Sequence, residues 1–542
     1  MAQQGPSILA LSAGSHGSNM RSRKDLSKVV LTAKEPGSDG DANAVCRLEL
    51  MVLVLFLGIA APSRGYPATL SVCASGCKYT TIAAAIAAAK AGDTINVLDA
   101  VHSESNITVD RNLTIQGQGA AKTTVDGAEN GTVFTTNAGV TSRIQNLTIA
   151  HGFNDINGGG VINDGMLTVT GITFFQNSTG GFEAPQPNTG GGIFNDGTLT
   201  VSNSTFSGNG SLQGGGVFND GDMTVTNSTF SSVAIEGGAI YNKGTAIVAN
   251  STFSDNSAEG GAGGTANYGT LIVTNSTFSD NFSENGLGGG IANNGTLIVT
   301  DSTFSGNFSP EGGGIFNDGT LTVTNSTFFA NSADGGGGIA NNGTGGNDGM
   351  LTVTNSTFLA NSAAFDGEGG SVLNSGATSF KNTILAGSSL SGNCSGTISD
   401  AGYNISDDTS CGFVKTGSAN NGDGVNPLFS QLGLANNGGP TGTIALDSES
   451  PAIDAIPLAD CTDQNSNPIH ADQRGALRPD PGEVACDIGA YEFQDFAGLA
   501  KCSKKSEAAL VQQYGSLSAA ASAYGFSTVK QLKAAVHHSC GG

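Results

Sequence analysis

Residues 312–331 read GGGIFNDGTLTVTNSTFFAN, and variants of this motif recur from about residue 144 to about residue 385. The Phe of its Thr-Phe unit returns at intervals of 23 to 32 residues. It stands at Phe174, Phe206, Phe230, Phe253, Phe278, Phe304, Phe328 and Phe358. A repeat of this length is typical of a solenoid, in which each copy forms one turn of a coil.

Within each copy apolar and polar residues alternate, as Leu321 and Val323 do with Thr322. Alternation with a period of two indicates strands that are buried on one face, and glycines mark the corners between them. A copy of about 24 residues holds three short strands. We therefore predict an all-β, single-stranded, right-handed parallel β-helix of about eleven coils over residues 66–393. A leucine-rich horseshoe has a similar period, but its leucine-spaced consensus is absent.

An asparagine follows the alternating stretch in most copies. Counted with the same period of two, it should point inward, and stacked copies should form an amide ladder. The residues concerned are Asn203, Asn227, Asn275, Asn325 and Asn355, and Asp301 takes this place in one coil.

The composition suits such a coil. The chain has 542 residues, 82 of them Gly, no Trp, and a formal net charge of −23. Small inward residues with one Phe per coil can replace a core of large side chains. An acidic chain lacks the basic footprint of a nucleic-acid-binding protein, so we expect no nucleic-acid partner and leave room for cations. We expect a monomer.

An apolar run spans residues 50–61. It is too short to cross a bilayer and resembles the apolar region of a signal peptide. We expect a signal peptide at residues 46–65, preceded by an upstream segment, 1–45, that is compatible with a misassigned start. The mature chain would have no transmembrane segment and would be secreted or held at the cell surface, with a bacterial outer membrane as one compatible location. The alternative for the run is a buried strand.

Eight cysteines follow this segment, and an even number in an exported chain favours disulfides. They fall into neighbouring pairs: Cys73 with Cys77, Cys394 with Cys411, Cys461 with Cys486, and Cys502 with Cys540. Zinc is the competing interpretation, but no second Cys or His unit stands at zinc-finger spacing.

Two motifs of the repeat carry a resemblance to a known family. Gly-Gly followed by an apolar residue, as at 191–193, and Phe-x-x-Asn, as at 206–209, resemble the repeats of polymorphic outer membrane proteins. That resemblance implies a surface-exposed adhesin. Unlike those proteins, this chain shows no terminal β-barrel region, so the autotransporter route is not implied.

The two ends of the repeat region resemble other modules. Residues 78–127 resemble the start of pectin-lyase-like β-helices, which implies a short capping helix at Thr81 to Ile86. Residues 394–495, with DQRGALRP and CDIGAYEF, resemble the choice-of-anchor Q module. We expect this module to cap the last coil. Its Asp472, Arg474, Arg478 and Asp487 could form a functional site or an ion-paired cap.

Residues 496–542 contain helix signals at 507–514, 518–524 and 527–536. We predict a small helical module for attachment or sorting, tied by Cys502 and Cys540. A DNA-binding helix-turn-helix is the alternative for the same pattern.

The repeat region contains few of the side chains that catalysis in this fold requires. Residues 151–380 contain 18 acidic residues, one Lys, no Arg and one His. No catalytic residue is assigned, because lyases of this fold use Arg or Lys as a base and no acid cluster breaks the repeat. The function expected is a non-enzymatic adhesion rod for a surface glycan or protein receptor. The alternative is a polysaccharide hydrolase or lyase.

Coil alignment gives two acidic columns, one of which continues to Lys243. Stacked carboxylates would share a cation, so we expect weak Ca²⁺ binding and no other cofactor. The candidate ligands are Asp164, Asp196, Asp220, Asp255 and Asp280. Solvated Asn-Asp-Gly turns are the alternative.

Overall fold

The structure is a computed structural model, and it describes residues 66–180, 188–343, 349–365, 367–389, 391–481, 483–494, 502–524 and 526–539. The expected upstream segment and signal peptide lie outside these residues, as does Cys540.

Three long parallel sheets form the body of the chain. Sheet 1 has 13 strands: Thr69–Val72, Thr94–Val97, Thr114–Gln116, Thr141–Gln145, Met166–Thr170, Thr198–Ser202, Asp222–Thr226, Thr245–Ala249, Thr270–Thr274, Thr296–Thr300, Thr320–Thr324, Met350–Thr354 and Ala377–Lys381. Sheet 3 has 12: Ile107–Val109, Phe134–Thr136, Val161–Asn163, Ile193–Asn195, Val217–Asn219, Ile240–Asn242, Thr265–Asn267, Ile291–Asn293, Ile315–Asn317, Ile339–Asn341, Val372–Asn374 and Cys394–Ser395.

Sheet 2 has 21 strands because most coils contribute two short segments to it. They are Val101–Ser103, Thr124–Asp126, Thr148–Ala150, Phe153–Asn154, Thr173–Phe175, Ser178–Thr179, Thr205–Gln213, Thr229–Glu236, Thr252–Ser254, Ser257–Ala258, Thr277–Ser279, Phe282–Ser283, Thr303–Ser305, Phe308–Glu311, Thr327–Phe329, Ser332–Gly335, Thr357–Leu359, Ser362–Ala363, Ile384–Ala386, Ile405–Ser406 and Gly422–Asp423.

Each copy of the repeat is one coil, as predicted. In the copy at 312–331, Ile315–Asn317 lies in sheet 3, Thr320–Thr324 in sheet 1 and Thr327–Phe329 in sheet 2. Sheet 1 indicates about 13 coils instead of eleven. The count was low because the first strand precedes the capping helix and the early coils replace Thr-Phe by other residues.

A column of phenylalanine rings fills the core. Seven successive pairs, from Phe174 to Phe358, have ring centroids 4.5–4.9 Å apart and planes within 10° of parallel. All eight side chains are almost fully buried. The spacing matches the distance between hydrogen-bonded strands, so each ring adds one layer per coil.

One glycine per coil is required by close approach of the backbone. A Cβ on Gly319 would lie 2.2 Å from the carbonyl oxygen of Gly295, and one on Gly295 would lie 2.1 Å from that of Gly269. The corner after the Asn-Asp pair therefore admits no side chain.

The amide ladder was predicted on the wrong asparagines. Asn203 and Asn227 have left-handed φ values of 49° and exposed side chains, because the chain bends there and the period of two ends. One contact of the predicted column does form, because Asn325 donates to Asp301, and Asn325 also donates to the carbonyl of Ala471.

Two other columns form the ladders. In the first, each Nδ2 donates to Oδ1 of the next coil at 2.6–2.8 Å. Its members are Asn163, Asn195, Asn219, Asn242, Asn267, Asn293, Asn317, Asn341 and Asn374. The second belongs to the Phe-x-x-Asn motif and includes Asn256, Asn281, Asn307, Asn331 and Asn361.

A short helix covers the first coil, as expected. Helix α1 (Ile82–Ala88) starts at the N-cap Thr81, whose side chain accepts from the Ala84 N–H at 3.1 Å. Ile82 and Ile86 are buried against the core. The Glu104 carboxylate accepts from the backbone N–H groups of Ile82 and Ala83, so a coil side chain holds the helix start.

The module expected to cap the last coil does not do so as a whole. Residues 394–423 continue the coil, and Phe413 packs beyond Phe380 with ring centroids 6.4 Å apart. The end is therefore closed by the chain that follows the last repeat, under the disulfide between Cys394 and Cys411.

Residues 427–494, here called the flank segment, lie against the side of the last coils. The segment contains two antiparallel pairs, Phe429–Ala435 with Thr443–Leu446 and Ile456–Pro457 with Ala485–Cys486, and the 3₁₀ helix Leu458–Asp460. Thr303 donates to the carbonyl of Gly442 at 2.6 Å, and Thr327 donates to Gln473 at 2.6 Å. The corner between sheets 1 and 2 is thus covered in these coils.

Three of the four expected disulfides form, joining Cys73 to Cys77, Cys394 to Cys411 and Cys461 to Cys486. The fourth remains a prediction because Cys540 lies outside the described residues.

The C-terminal module is helical, as expected. Its helices are α2 (Cys502–Tyr514), α3 (Leu517–Ala523) and α4 (Val529–Ser539). Leu510, Leu532 and Val536 are buried in a cluster that includes Leu477 of the flank segment. Among the described residues, no helix is long and apolar enough to cross a membrane.

Candidate functional site

The structure places the predicted acidic residues in two exposed columns. Asp164, Asp196 and Asp220 each follow the paired asparagines of sheet 3, and Lys243 takes the next place, as the alignment predicted. Partial burial and the neighbouring Asp196 raise the pKa of Asp164.

The second column is Asp255 and Asp280, which lie in left-handed turns of adjacent coils with φ values of 54°. Partial burial and Asp255 raise the pKa of Asp280. Within the described parts of the chain, no three His, Cys, Asp or Glu side chains are arranged to hold a metal ion. Calcium binding by either column therefore remains a prediction.

A groove of about 510 Å³ lies on the outer face of sheet 2, where the second segment of each coil stacks. It crosses five coils and is lined by residues 178–180, 210–212, 233–234 and 257–259, with Phe282 and Glu284. We call it the sheet 2 groove. Its floor is shallow because most of these residues are Ser, Gly or Ala, whose side chains rise little above the strands.

Large apolar side chains stand at the margin of this floor. Phe282 is 43% exposed and Val233 is 55% exposed, although both are apolar. The Phe282 ring is held by stacking on Phe308 at 5.3 Å. An exposed ring whose orientation is fixed by a neighbour offers a flat apolar surface to a ligand.

Two glutamates occupy corresponding positions of adjacent coils in the lining of the sheet 2 groove. Glu259 and Glu284 belong to adjacent coils, whose Ser257 and Phe282 are register partners. These two residues were not predicted, because the alignment of the coils ended at the Phe-x-x-Asn turn. The signal was present, since each Glu stands six residues after the core Phe of its coil.

A second recess, of about 160 Å³, lies on the outer face of sheet 3 and is called here the aromatic cleft. Ala266 and Ala292 form its floor at positions that Tyr241 and Phe316 occupy in the flanking coils. Replacement of two rings by methyl groups leaves a gap in the column. Tyr268 borders the gap, 5.1 Å from the Tyr241 ring and 47% exposed.

Polar groups line the rim of the aromatic cleft. Glu236 accepts from Gln213 at 3.0 Å, and Asn294 lies in the same lining. Burial, Tyr268 and Glu236 raise the pKa of the Tyr241 hydroxyl, so this group stays protonated at physiological pH. The aromatic residues and alanines at these positions are present in the sequence, but they predict a cleft only after the coils are aligned.

The four charged residues predicted as a set in the flank segment, Asp472, Arg474, Arg478 and Asp487, are buried, and the first three form ion pairs. Arg474 meets Asp472 at 2.7 Å, and Arg478 meets Glu492 at 3.2 Å. Arg478 also donates to the carbonyls of Asp487 and Gly489. These contacts support the ion-paired interpretation, with the pairs lying along the side of the coils instead of over their end.

A protein-family model for a right-handed β-helix region matches residues 215–414, the part of the chain with the most regular coils. The fold is a right-handed parallel β-helix. No curated protein matches the chain.

Several solved structures share this architecture. The catalytic domain of a GH87 α-1,3-glucanase is 12% identical over 62% of this chain and 68% of that one, with a TM-score of 0.36. The pectate lyase Pel9A is 15% identical over 78% and 96%, with a TM-score of 0.33. The PL6 alginate lyase AlyGC is 12% identical over 68% and 56%, with a TM-score of 0.32. At these identities the likeness concerns the fold alone.

Proposed function

We propose that this protein is a secreted or cell-surface rod that binds a neutral glycan chain without cleaving it. The observation that carries the proposal is the sheet 2 groove, which runs along five coils and suits an extended ligand. Three disulfides support an oxidising, extracellular location.

The lining of the sheet 2 groove matches the two sides of a sugar ring. Phe282 offers an apolar surface for the C–H face, while Ser178 and Ser257 offer hydroxyls that both donate and accept hydrogen bonds. The Ser211 hydroxyl donates to the carbonyl of Gln213 and is left to accept. Glu259 and Glu284 accept hydrogen bonds from sugar hydroxyls. The acidic surface of the rod repels polyuronates, which favours a neutral glycan.

A hydrolase is the second candidate, and the paired glutamates are the observation that favours it. Retaining glycosidases hold two carboxyl groups about 5 Å apart, and strands of adjacent coils lie at about that distance. Glu259 and Glu284 are the residues to test for this role. A lyase is disfavoured because residues 151–380 have no Arg and a single Lys to act as a base.

Binding of the full chain to a panel of glucans, xylan, mannan and polygalacturonate tests the proposal. We expect binding to a neutral polymer that Phe282→Ala weakens about tenfold, the equivalent of about 1.4 kcal/mol for a lost stacking surface. Phe175→Ala is the matched control, because Phe175 is an exposed ring of the same sheet outside the groove lining.

Product analysis separates the two candidates. Release of reducing sugar that disappears in Glu259→Gln and Glu284→Gln would replace the binding rod by a hydrolase. Equal loss of binding in the Phe175 control, or no binding to any polymer, would contradict the groove as the ligand site.

A further inference from the structure

Sheet 1 presents an outer face of unusual regularity. Its strands from Met166–Thr170 to Met350–Thr354 each point three side chains outward, giving 24 positions in three columns. Sixteen of these positions are Thr, and we call the surface the threonine face. The first column is Met166, Thr198, Asp222, Thr245, Thr270, Thr296, Thr320 and Met350; the second is Thr168, Thr200, Thr224, Ile247, Ile272, Ile298, Thr322 and Thr352; the third is Thr170, Ser202, Thr226, Ala249, Thr274, Thr300, Thr324 and Thr354.

The threonine face is almost free of charge although the rod is acidic. Of the 18 acidic residues between positions 151 and 380, Asp222 alone lies on it, and the one Lys of that range, Lys243, lies elsewhere. The β-propensity of Thr explains why Thr is common in strands. It does not explain why charged residues, which usually solubilise an exposed sheet, are kept to the other surfaces.

The face repeats on a straight two-dimensional lattice. Its strands pair residue for residue through all eight coils. The core rings behind it stay within 10° of parallel from coil to coil, so the coils stack with little twist. Equivalent side chains are therefore about 4.8 Å apart along the rod and about 6.7 Å apart along a strand.

Most hydroxyls of the threonine face remain available. Thr170 bonds to Ser202 at 3.0 Å, and Thr226 reaches the carbonyl of Val201 at 3.5 Å. The other Thr hydroxyls of the face form no hydrogen bond to another described residue. The flank segment meets sheet 1 beside Asp301, Asn325 and Val353, at the end of the lattice, where Thr354 is buried, and it leaves the coils before Asp301 open.

We propose that the threonine face binds ice. A ligand that meets Thr at most lattice points must itself be periodic, and a folded partner or a single glycan chain has no such repeat in two directions. Hexagonal ice repeats along two perpendicular axes at spacings close to those of the face. A hydroxyl that donates and accepts fits a water network, and the adjacent methyl group packs against it without competing for its hydrogen bonds.

This activity is independent of the sheet 2 groove. Ice growth in the presence of the full chain is the direct test, followed as crystal shape and as the gap between melting and freezing temperatures. We expect faceted crystals and a measurable gap. The double variant Thr200→Lys with Thr224→Lys should lose both the crystal faceting and the temperature gap. Its two long charged side chains project from the middle column and prevent the threonine face from contacting ice.

The control carries the same change in the same coils. Thr205 and Thr229 are exposed residues of sheet 2, so Thr205→Lys with Thr229→Lys adds equal charge outside the face and should keep the full gap. Asp222→Thr removes the one charge from the lattice and should widen the gap. This gain-of-function variant tests the proposal even if the Lys variant fails to fold, which circular dichroism would reveal.

Three outcomes would overturn the proposal. They are round crystals with the wild-type chain, equal loss in the sheet 2 control, and no widening with Asp222→Thr. Sedimentation of the same samples addresses another occupant. A dimer that Thr200→Lys with Thr224→Lys dissociates would assign the face to a second copy of the chain instead of ice.

Discussion

Asp301 occupies a turn position that asparagine holds in eight other coils. It accepts a bond from Asn325 at 3.2 Å, and its backbone carbonyl accepts from Thr441 of the flank segment. Burial under that segment, together with Asp472, raises the pKa of Asp301 to about 7. A carboxyl group with a raised pKa stabilises the fold below its ordinary value near 4 and loses that contribution as pH rises through about 7.

We therefore expect the stability gained by Asp301→Asn to grow between about pH 4 and pH 7, by at most about 1.4 kcal/mol per pH unit, the free energy of one unit of pKa, and to stay constant above pH 7. The amide keeps the bond to Asn325 and suits the left-handed turn. Urea unfolding at pH 5 and pH 8 measures the difference. Asp196→Asn, an equal change of charge at an exposed turn, should have no such effect, and a gain that is the same at both pH values would contradict the explanation.

His102 supports the N-terminal cap. Its ring nitrogens meet Glu104 at 2.8 Å and Asp99 at 3.0 Å, and the bond to Glu104 is the main cause that raises the pKa of His102. The same Glu104 holds the start of α1. The stabilisation is complete below the ordinary His pKa of about 6.5 and is lost as pH rises through the raised value.

Hydrogen exchange of the Ile82 and Ala83 amides should report this loss. We expect their protection to fall as pH rises above neutrality, after correction for intrinsic exchange, while the amides of Ile339–Asn341 in the central coils stay protected. His102→Gln should remove the pH dependence. Protection in the variant that still falls with pH would assign the effect to another group.

At the scale of a single coil, the corner glycine limits variation most. Gly319→Ala would place a methyl group 2.2 Å from a carbonyl oxygen of the preceding coil, and backbone cannot yield as a flexible side chain can. We expect a loss of about 3 kcal/mol in the free energy of unfolding, as for overpacked cores. Gly260→Ala is the control, since its Cβ would meet only Ile235, at 3.6 Å, and should cost little. Similar losses in both variants would argue against close approach as the cause.

The coil was predictable because its signals are local. Phe spacing and the Leu-Thr-Val alternation correctly predicted the strands and one inward Phe per coil. The ladder prediction failed at Asn203 because this residue has a left-handed backbone conformation that ends the strand. The alternation of apolar and polar residues does not show where that bend occurs. Glu259 and Glu284 were not predicted because the alignment of the coils ended at the Phe-x-x-Asn turn that precedes them.

Across the whole molecule, the position of the flank segment was beyond prediction. Gln473 contacts Ser302 and Thr303, about 170 residues away in the sequence. The repeat pattern cannot predict a contact between a coil and a non-repeating segment. Thr303 and Thr327 belong to the same motif as Thr205 and Thr229, yet only the first two are buried. The sheet 2 groove was also beyond prediction, because it is formed by residues of five coils and is recognised only when the coils are placed in register.

The net charge of the rod gives a prediction for cations. If the column of Asp164, Asp196 and Asp220 binds Ca²⁺ with the affinity of extracellular modules, about 10⁻⁴–10⁻³ M, millimolar Ca²⁺ should raise the melting temperature by mass action. NaCl at equal ionic strength supplies the comparison. The response should vanish when the three residues are changed to Asn. Equal shifts with both salts would reduce the effect to screening of the acidic surface.

The asparagine ladders give the rod a direction. In the ladder that begins at Asn163 each donating side chain points one N–H toward the next coil, and each accepting side-chain oxygen points toward the previous coil. The amide dipoles therefore add along the axis, and hydrogen bonds linked in one sense polarise each other. The column therefore has a net dipole along the axis of the rod, with its positive end toward the C-terminal coils. Reversing one amide would place two N–H groups face to face on one side and two oxygens on the other, so the polarity of the whole column is held in common by all its members.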